Sequence, residues 1–213
     1  PASMIGRNYA AYLDGAAVEA KGLAPIQPWL AKIHAVDKAG LAALLAEADR
    51  SGIQHFFGGF VGQDDKNPEV YIYTMFQGGI GMPDRDFYLK DNERNAKLQA
   101  AYLTHLENVL TLAGETNAAA RAKAIYDFEK QIATVHWDKN DSSDATKVYN
   151  KMTIADLAAA APGFDWATFI RGLGVNEDSL LVSQPSAFAG EAKLLADAPI
   201  AVIRDALMVR SLD

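Results

Sequence analysis

Cysteine is absent from the 213 residues. That excludes thiol catalysis, iron–sulfur ligation and a disulfide scaffold, but it leaves the compartment open, because proteins outside the cytoplasm can also lack the residue. Positive charge is scarce: 20 Lys and Arg stand against 27 Asp and Glu, a net charge of −7. The sign is wrong for a phosphate-binding footprint, so nucleic acid is not an expected partner. No apolar run approaches the ~18 residues of a membrane span, and no signal-peptide pattern stands at the front. Histidine occurs only four times. What is present is ordinary for a folded protein: 50% hydrophobic and 22% charged residues, outside the disordered regime. A chain of this size buries roughly 70% of its unfolded surface, so folding requires no metal or disulfide staple.

The periodicity reads mainly as helix. Residues 4–21 predict one helix with Ile5, Tyr9, Tyr12, Leu13, Ala16 and Ala17 on a broad face, stopped by Gly22. Further helices are expected around Trp29–Val36 and from Lys38 to Arg50. The period then changes. His55–Val61 and Glu69–Gln77, joined by the polar stretch 62–68, predict a β-hairpin. Both of its faces are apolar, so helices are expected to cover it on each side. Beyond Pro83 the helical period returns, marked by Leu98, Tyr102, Leu106, Val109 and Ala113. It is clearest in Ala118, Arg121, Ile125, Phe128, Ile132 and Val135. Thr153 with Asp156 predicts a capping box, Leu180–Val182 a short strand, and Pro185 and Pro199 the first turns of two last helices. The fold class is therefore mainly α, one multi-helix domain over 1–213 with an embedded β-hairpin. The chain closes inside a helical pattern with no Gly, Asn or Pro stop, and so reads as a piece of a longer polypeptide.

No residue pattern specifies a reaction. His34, His55, His105 and His136 form no H-E-x-x-H and no i, i+4 pair, so each is read as structural or surface rather than as a metal ligand. His136, Asp138, Asp141 and Asp144 cluster in sequence. Read as a calcium loop, they place Ser143 at the glycine turn and Tyr149 at the bidentate glutamate. The match fails, and N-capping aspartates in a solvated loop are the better reading. Gly78-Gly79-Ile80-Gly81 lacks the Lys-Ser/Thr of a phosphate cradle and reads as a tight turn. Asp84, Arg85 and Asp86 could in principle supply paired carboxylates, making a carboxylate-dependent hydrolase the third reading. An ion-paired loop or helix cap is the simpler one. No catalytic, cofactor-binding or metal-binding residue is assigned.

The segment Gln77-Gly78-Gly79-Ile80-Gly81-Met82-Pro83-Asp84-Arg85-Asp86-Phe87-Tyr88-Leu89 resembles the G-L-G-L-P-D-R-D-Y-Y stretch of the neprilysin and endothelin-converting-enzyme family of zinc metallopeptidases. Three further segments fit in family order. Asp14 to Ile26 is similar to D-x-x-x-I-E-x-x-G-x-x-P-L, and Phe60 to Asn67 to v-x-x-D-x-K-N. Tyr149-Asn150-Lys151-Met152-Thr153 with Leu157, then Phe164-Asp165-Trp166, resembles Y-N-x-M-T-x-x-E-L and F-D-W.

The resemblance implies the non-catalytic N-terminal lid portion of such a peptidase, a helical domain facing a separate zinc domain across a peptide-binding cavity. The family's zinc ligands and substrate-positioning motif lie C-terminal to anything present here, so none carries over. No cofactor is expected in this chain, and zinc is expected in the missing catalytic domain. The expected partners are that domain of the same polypeptide and an oligopeptide substrate. The family's animal members are disulfide-rich, so the missing cysteine implies a bacterial-type member, with an extracytoplasmic location expected. From another class, the alternative is a stand-alone helical scaffold or peptide-binding module without catalytic activity.

Overall fold

The computed structural model describes residues 2–213, which fall into two compact units, one ending at Ala35 and one running Val36–Asp213. In the first, two helices, α1 (Ala2–Leu13) and α2 (Gly15–Lys21), stand where one was expected over 4–21. Asp14 makes the break: its carboxylate accepts from the Ala17 amide at 3.1 Å, capping a new helix start. Gly22, at φ 49°, closes α2, and α3 (Gln27–Ala35) follows. The apolar side chains Ile5, Tyr9, Tyr12 and Leu13 are exposed.

The second unit opens with α4 (Leu41–Arg50) and the hairpin β1 (Phe57–Asp64) and β2 (Asn67–Gln77). The seven-residue loop expected over 62–68 shrinks to a two-residue turn, Asp65-Lys66, preceded by a register shift between Gln63 and Asp64. The strands continue through polar residues because the Asp64 carboxylate accepts from the Lys66 amide at 3.0 Å, which closes the turn from inside. Next come α5 (Asp86–Leu89), α6 (Glu93–Leu112), α7 (Ala118–Val135), α8 (Lys139–Ser142) and a short strand, β3 (Lys151–Thr153). After them are α9 (Ile154–Ala160), α10 (Trp166–Gly172), β4 (Ser179–Val182), α11 (Pro185–Asp197) and α12 (Ile200–Leu212). The fold is mainly α, as expected, with a small sheet. The hairpin is one half of that sheet. β4 lies parallel to β2 and antiparallel to β3, giving the order β1-β2-β4-β3.

Local signals locate most boundaries. Thr153 and Asp156 form the expected capping box, and Asp165 caps α10 through the Thr168 amide at 3.0 Å. Pro185 occupies the first turn of α11, but Pro199 sits one place earlier than expected, as the N-cap of α12. Small residues let the helices close: a Cβ on Gly172 of α10 would lie 2.7 Å from the Ala46 Cβ of α4. One on Gly190 of α11 would lie 2.5 Å from Val135 of α7.

The core is aromatic beneath the base of the hairpin. Phe57 contacts Phe164, Trp166, Phe169 and Phe188 at ring separations of 4.8–5.7 Å. Trp166 is fully buried, and its Nε1 donates to the Ala161 carbonyl at 2.7 Å. The expectation that helices cover both faces of the hairpin holds only at this end. Further out, Phe60, Val61, Val70 and Tyr71 are exposed.

Candidate functional site

The glycine-rich turn and the Asp84-Arg85-Asp86 run that follows it are the most constrained loop of the second unit. Each of three glycines has its own reason. Gly79 adopts φ +82°, and a side chain there would also crowd the Phe56 backbone at 3.2 Å. A Cβ on Gly78 would lie 3.0 Å from the Phe56 carbonyl. At Gly81 a Cβ would fall 1.9 Å from the Tyr102 hydroxyl, so the absent side chain leaves room for a phenol.

That phenol belongs to a buried polar network. Glu129 of α7 is 1% exposed. Its Oε2 accepts from the Tyr88 hydroxyl at 2.7 Å and from the Tyr102 hydroxyl at 2.9 Å. Its Oε1 accepts from Arg210 Nη2 of α12 at 2.7 Å. Tyr88 in turn accepts from the Gly81 and Met82 amides, both at 3.0 Å. The turn's backbone is thus tied through one hydroxyl to a buried ion pair, which joins α5, α6, α7 and α12. Burial, reinforced by the Glu129 charge, pushes both phenols far above their ordinary range, so they remain donors at any working pH.

A second buried pair flanks the other side of the turn. His136 Nε2 lies 2.8 Å from Glu191 Oε1, with both side chains at most 3% exposed. Burial pulls the imidazole down to about 4 and pushes the carboxyl well above its ordinary value. Desolvation thus disfavours the charged form of both groups. Arg85 Nη1 donates to the His136 carbonyl at 2.5 Å, linking this pair to the charged run.

That run is an ion-paired cap. Asp84 Oδ1 accepts from the Asp86 amide at 2.8 Å, and Asp86 pairs with Lys90 at 2.6 Å. A cleft of about 570 Å³ opens beside it, lined in part by Gln77, Met82, Arg85, His136, Trp137 and Lys139. A second, of about 390 Å³, lies between the Gly58-Gly59 stretch and the Gly78-Gly79 turn and includes Asp49, His55 and Arg210.

The remaining sequence candidates disperse. His55 Nδ1 accepts from the Phe57 amide, so Nε2 carries the proton and donates to Asp49 at 3.2 Å. His105 is half-exposed, 2.9 Å from Asp213, and His34 lies on α3. Asp138 caps α8 through the Asp141 amide, and Asp144 caps the next turn through Thr146. His136 turns away from these aspartates into the core. Among the described residues, no three His, Cys, Asp or Glu side chains come together as metal ligands. The donors here do not fit a zinc site.

Two of the motif segments meet. Asp64 Oδ1 accepts from the Tyr149 hydroxyl at 2.8 Å and Oδ2 from Lys151 Nζ at 2.8 Å, while Lys66 Nζ sits 3.9 Å above the Tyr149 ring. Lys151 first, then the Lys66 amide and the Tyr149 hydroxyl, hold the Asp64 carboxyl down to about 2. Sequence reasoning missed Glu129 and Glu191 as site residues. The available signal was a charge in the middle of an apolar helical face: Glu129 between Ile125 and Ile132, Glu191 between Phe188 and Leu195.

Comparison with known proteins places this architecture. A family model described as Peptidase family M13, in its N-terminal part, matches residues 1–213. Endothelin-converting enzyme 1 of Rattus norvegicus is 31% identical over 121 residues, 55% of this chain and 16% of that protein. Human endothelin-converting enzyme-like 1 is 32% identical over 108 residues, 50% of this chain and 14% of that one. Among solved structures, the zinc metalloprotease Zmp1 of Mycobacterium tuberculosis in complex with an inhibitor superposes with a TM-score of 0.88 at 32% identity. That match covers 95% of this chain and 32% of Zmp1. PepO of Lactobacillus rhamnosis superposes at 0.65 with 16% identity, over 90% of this chain and 31% of PepO, a likeness of fold. The chain thus spans about a third of the solved relatives and about a sixth of the curated ones.

Proposed function

Because the chain belongs to peptidase family M13, whose members are zinc metallopeptidases, we propose that its residues form the non-catalytic lid portion of a neprilysin-like zinc metalloendopeptidase. In this reading they enclose a peptide-binding cavity, and the zinc ligands lie in a catalytic domain of the same, longer polypeptide. The match of the N-terminal family model along all 213 residues carries the proposal.

A lid of this kind acts by shape. It admits flexible oligopeptides, excludes folded proteins, and keeps bulk water from the metal centre while peptide is bound. The rigid ties around the glycine-rich turn suit that work, because an enclosing wall must hold its position. The missing cysteine fits a bacterial-type member, and an extracytoplasmic location is part of the same reading. No helix among the described residues is long and apolar enough to cross a membrane.

Metal analysis and peptide cleavage test the proposal. Residues 1–213 alone should bind no stoichiometric zinc and cleave nothing. The longer polypeptide should hold one zinc and cleave oligopeptides while sparing folded proteins. One tight zinc per isolated chain, or equal cleavage of folded substrates, would overturn it. A polypeptide with neither zinc nor peptidase activity would favour the stand-alone scaffold.

A further inference from the structure

The β1–β2 hairpin leaves apolar side chains uncovered along its length. Between its base and its charged tip of Asp64, Asp65, Lys66 and Glu69, from Gly58 to Gln63 and from Val70 to Gln77, no residue is charged. β1 is an edge strand of the sheet, and from Gly58 to Gln63 it carries no charge or proline of the kind that normally keeps an open edge from pairing with other chains; the buried Asp64 and the register shift beside it lie only at the tip. Its pairing, Phe60 with Thr74 and Val61 with Tyr73, places Phe60 and Val61 on opposite faces. Both are exposed, at 56% and 62%, and so are Val70, Tyr71 and Phe76. The apolar surface therefore continues over both faces and around an open edge.

The glycines shape this surface. A Cβ on Gly58 would fall 2.1 Å from the Phe76 ring, and one on Gly62 would fall 2.9 Å from the Phe60 ring. Each ring lies against a glycine, and the two rings neighbour one another at 6.3 Å. The hairpin is also held in place. Asp64, at its tip, is bonded to Tyr149 and Lys151, so the surface is fixed before anything meets it. A held hairpin with Phe60, Val61, Val70, Tyr71 and Phe76 exposed over its two faces and along an open edge exceeds what scattered surface hydrophobes explain.

Resting on the reading above, we infer that this hairpin inserts into the remainder of the same longer polypeptide, which covers Phe60, Val61, Tyr71 and Phe76 and closes the β1 edge. The supply of cover is ample: this chain accounts for 32% of the Zmp1 polypeptide, so two-thirds of a chain of that length lies outside it. The complementary piece is an apolar segment able to offer backbone hydrogen bonds to β1.

Hydroxyl-radical labelling of the longer polypeptide, read by mass spectrometry, tests this. Phe60, Tyr71 and Phe76 should label as slowly as the buried Phe56 and Tyr88 of the same molecule, at every protein concentration. Labelling at the rate of fully exposed rings would overturn the inference, as would protection that disappears on dilution, which would assign the surface to a second copy. Protection gained only on adding oligopeptide would assign it to substrate instead, and would overturn it too. Zinc content and peptide cleavage of the same sample are independent of the labelling. An active zinc peptidase with a bare hairpin would refute the docking and leave the peptidase reading standing.

Discussion

At its base the β1–β2 hairpin lies among buried rings and beside two buried polar pairs, whereas at its outer end the same two strands show aromatic side chains to solvent. Phe57 and Met75 are at most 4% exposed, while Tyr71 is 67% exposed. The base gains its stability within these residues, from ring contacts and from Glu129 and its three partners. The outer end is anchored by the Asp64 bonds and by Lys66 over the Tyr149 ring, which fix its position without covering its apolar faces. The difference teaches that rigidity and burial are separable. The base is a finished core, and the outer end is a held but uncovered surface.

The largest expected effect breaks the base. Glu129→Gln removes the charge that pairs with Arg210 and receives two phenols, and breaking such a buried pair costs about 3–5 kcal/mol. Chemical denaturation should show that loss. A change below ~1 kcal/mol would mean that the network does not carry the base.

The second pair at the base should behave differently, because burial disfavours the charged form of both its members. Glu191→Gln keeps the shape and leaves a neutral donor for His136, so the cost should stay near 1 kcal/mol instead of the several expected of a broken ion pair. The pH dependence has a definite sign. The Glu191 carboxyl is raised from its ordinary 4.5, so the folded state binds the extra proton and stability falls as pH rises above about 4.5. His136 is lowered from 6.5 to about 4, so its contribution rises with pH between those values. The two slopes oppose one another between about 4.5 and 6.5. Glu191→Gln removes the fall, so above about 4.5 stability in the variant should rise more steeply, or fall less, with pH than in the unaltered protein. An unchanged slope in the variant would refute the raised Glu191 carboxyl.

At the outer end Asp64→Asn should act locally. Amide exchange at the turn around Lys66 should accelerate while core amides such as that of Leu45 stay protected. Because the Asp64 carboxyl is held down to about 2, its contribution is complete above the ordinary 3.8 and is lost progressively as pH falls from there through 2. The smallest effect sharpens the comparison most. Tyr71→Ser in residues 1–213 should change stability by no more than ~0.5 kcal/mol, as at any exposed site. In the longer polypeptide, the same change should cost ~1.5–3 kcal/mol if the ring is covered there. Equal effects in the two settings would leave the outer end without a role in docking.

Much of this was legible in order along the chain. Glycines, prolines and capping aspartates act on their own neighbours, so Gly22 and the Thr153–Asp156 box mark helix ends from sequence alone. Asp14 shows the limit of periodicity. A continuous apolar face over 4–21 predicted one helix, and a side chain turning back to the Ala17 amide made two. Strand β3 has only three residues and exists because β4 arrives beside it, so no local pattern announces it.

The sequence by itself determined the mainly helical class, the glycine-rich turn and the family, because these rest on backbone preference and on residues close together in the chain. Only the tertiary structure decided which polar residues matter. Asp64 meets Tyr149 and Lys151 across more than eighty residues, and Glu129 meets Arg210 across eighty-one. His136 leaves its acidic neighbours for Glu191. A buried charge has to find its partner in three dimensions, and short-range propensity does not encode where that partner will be.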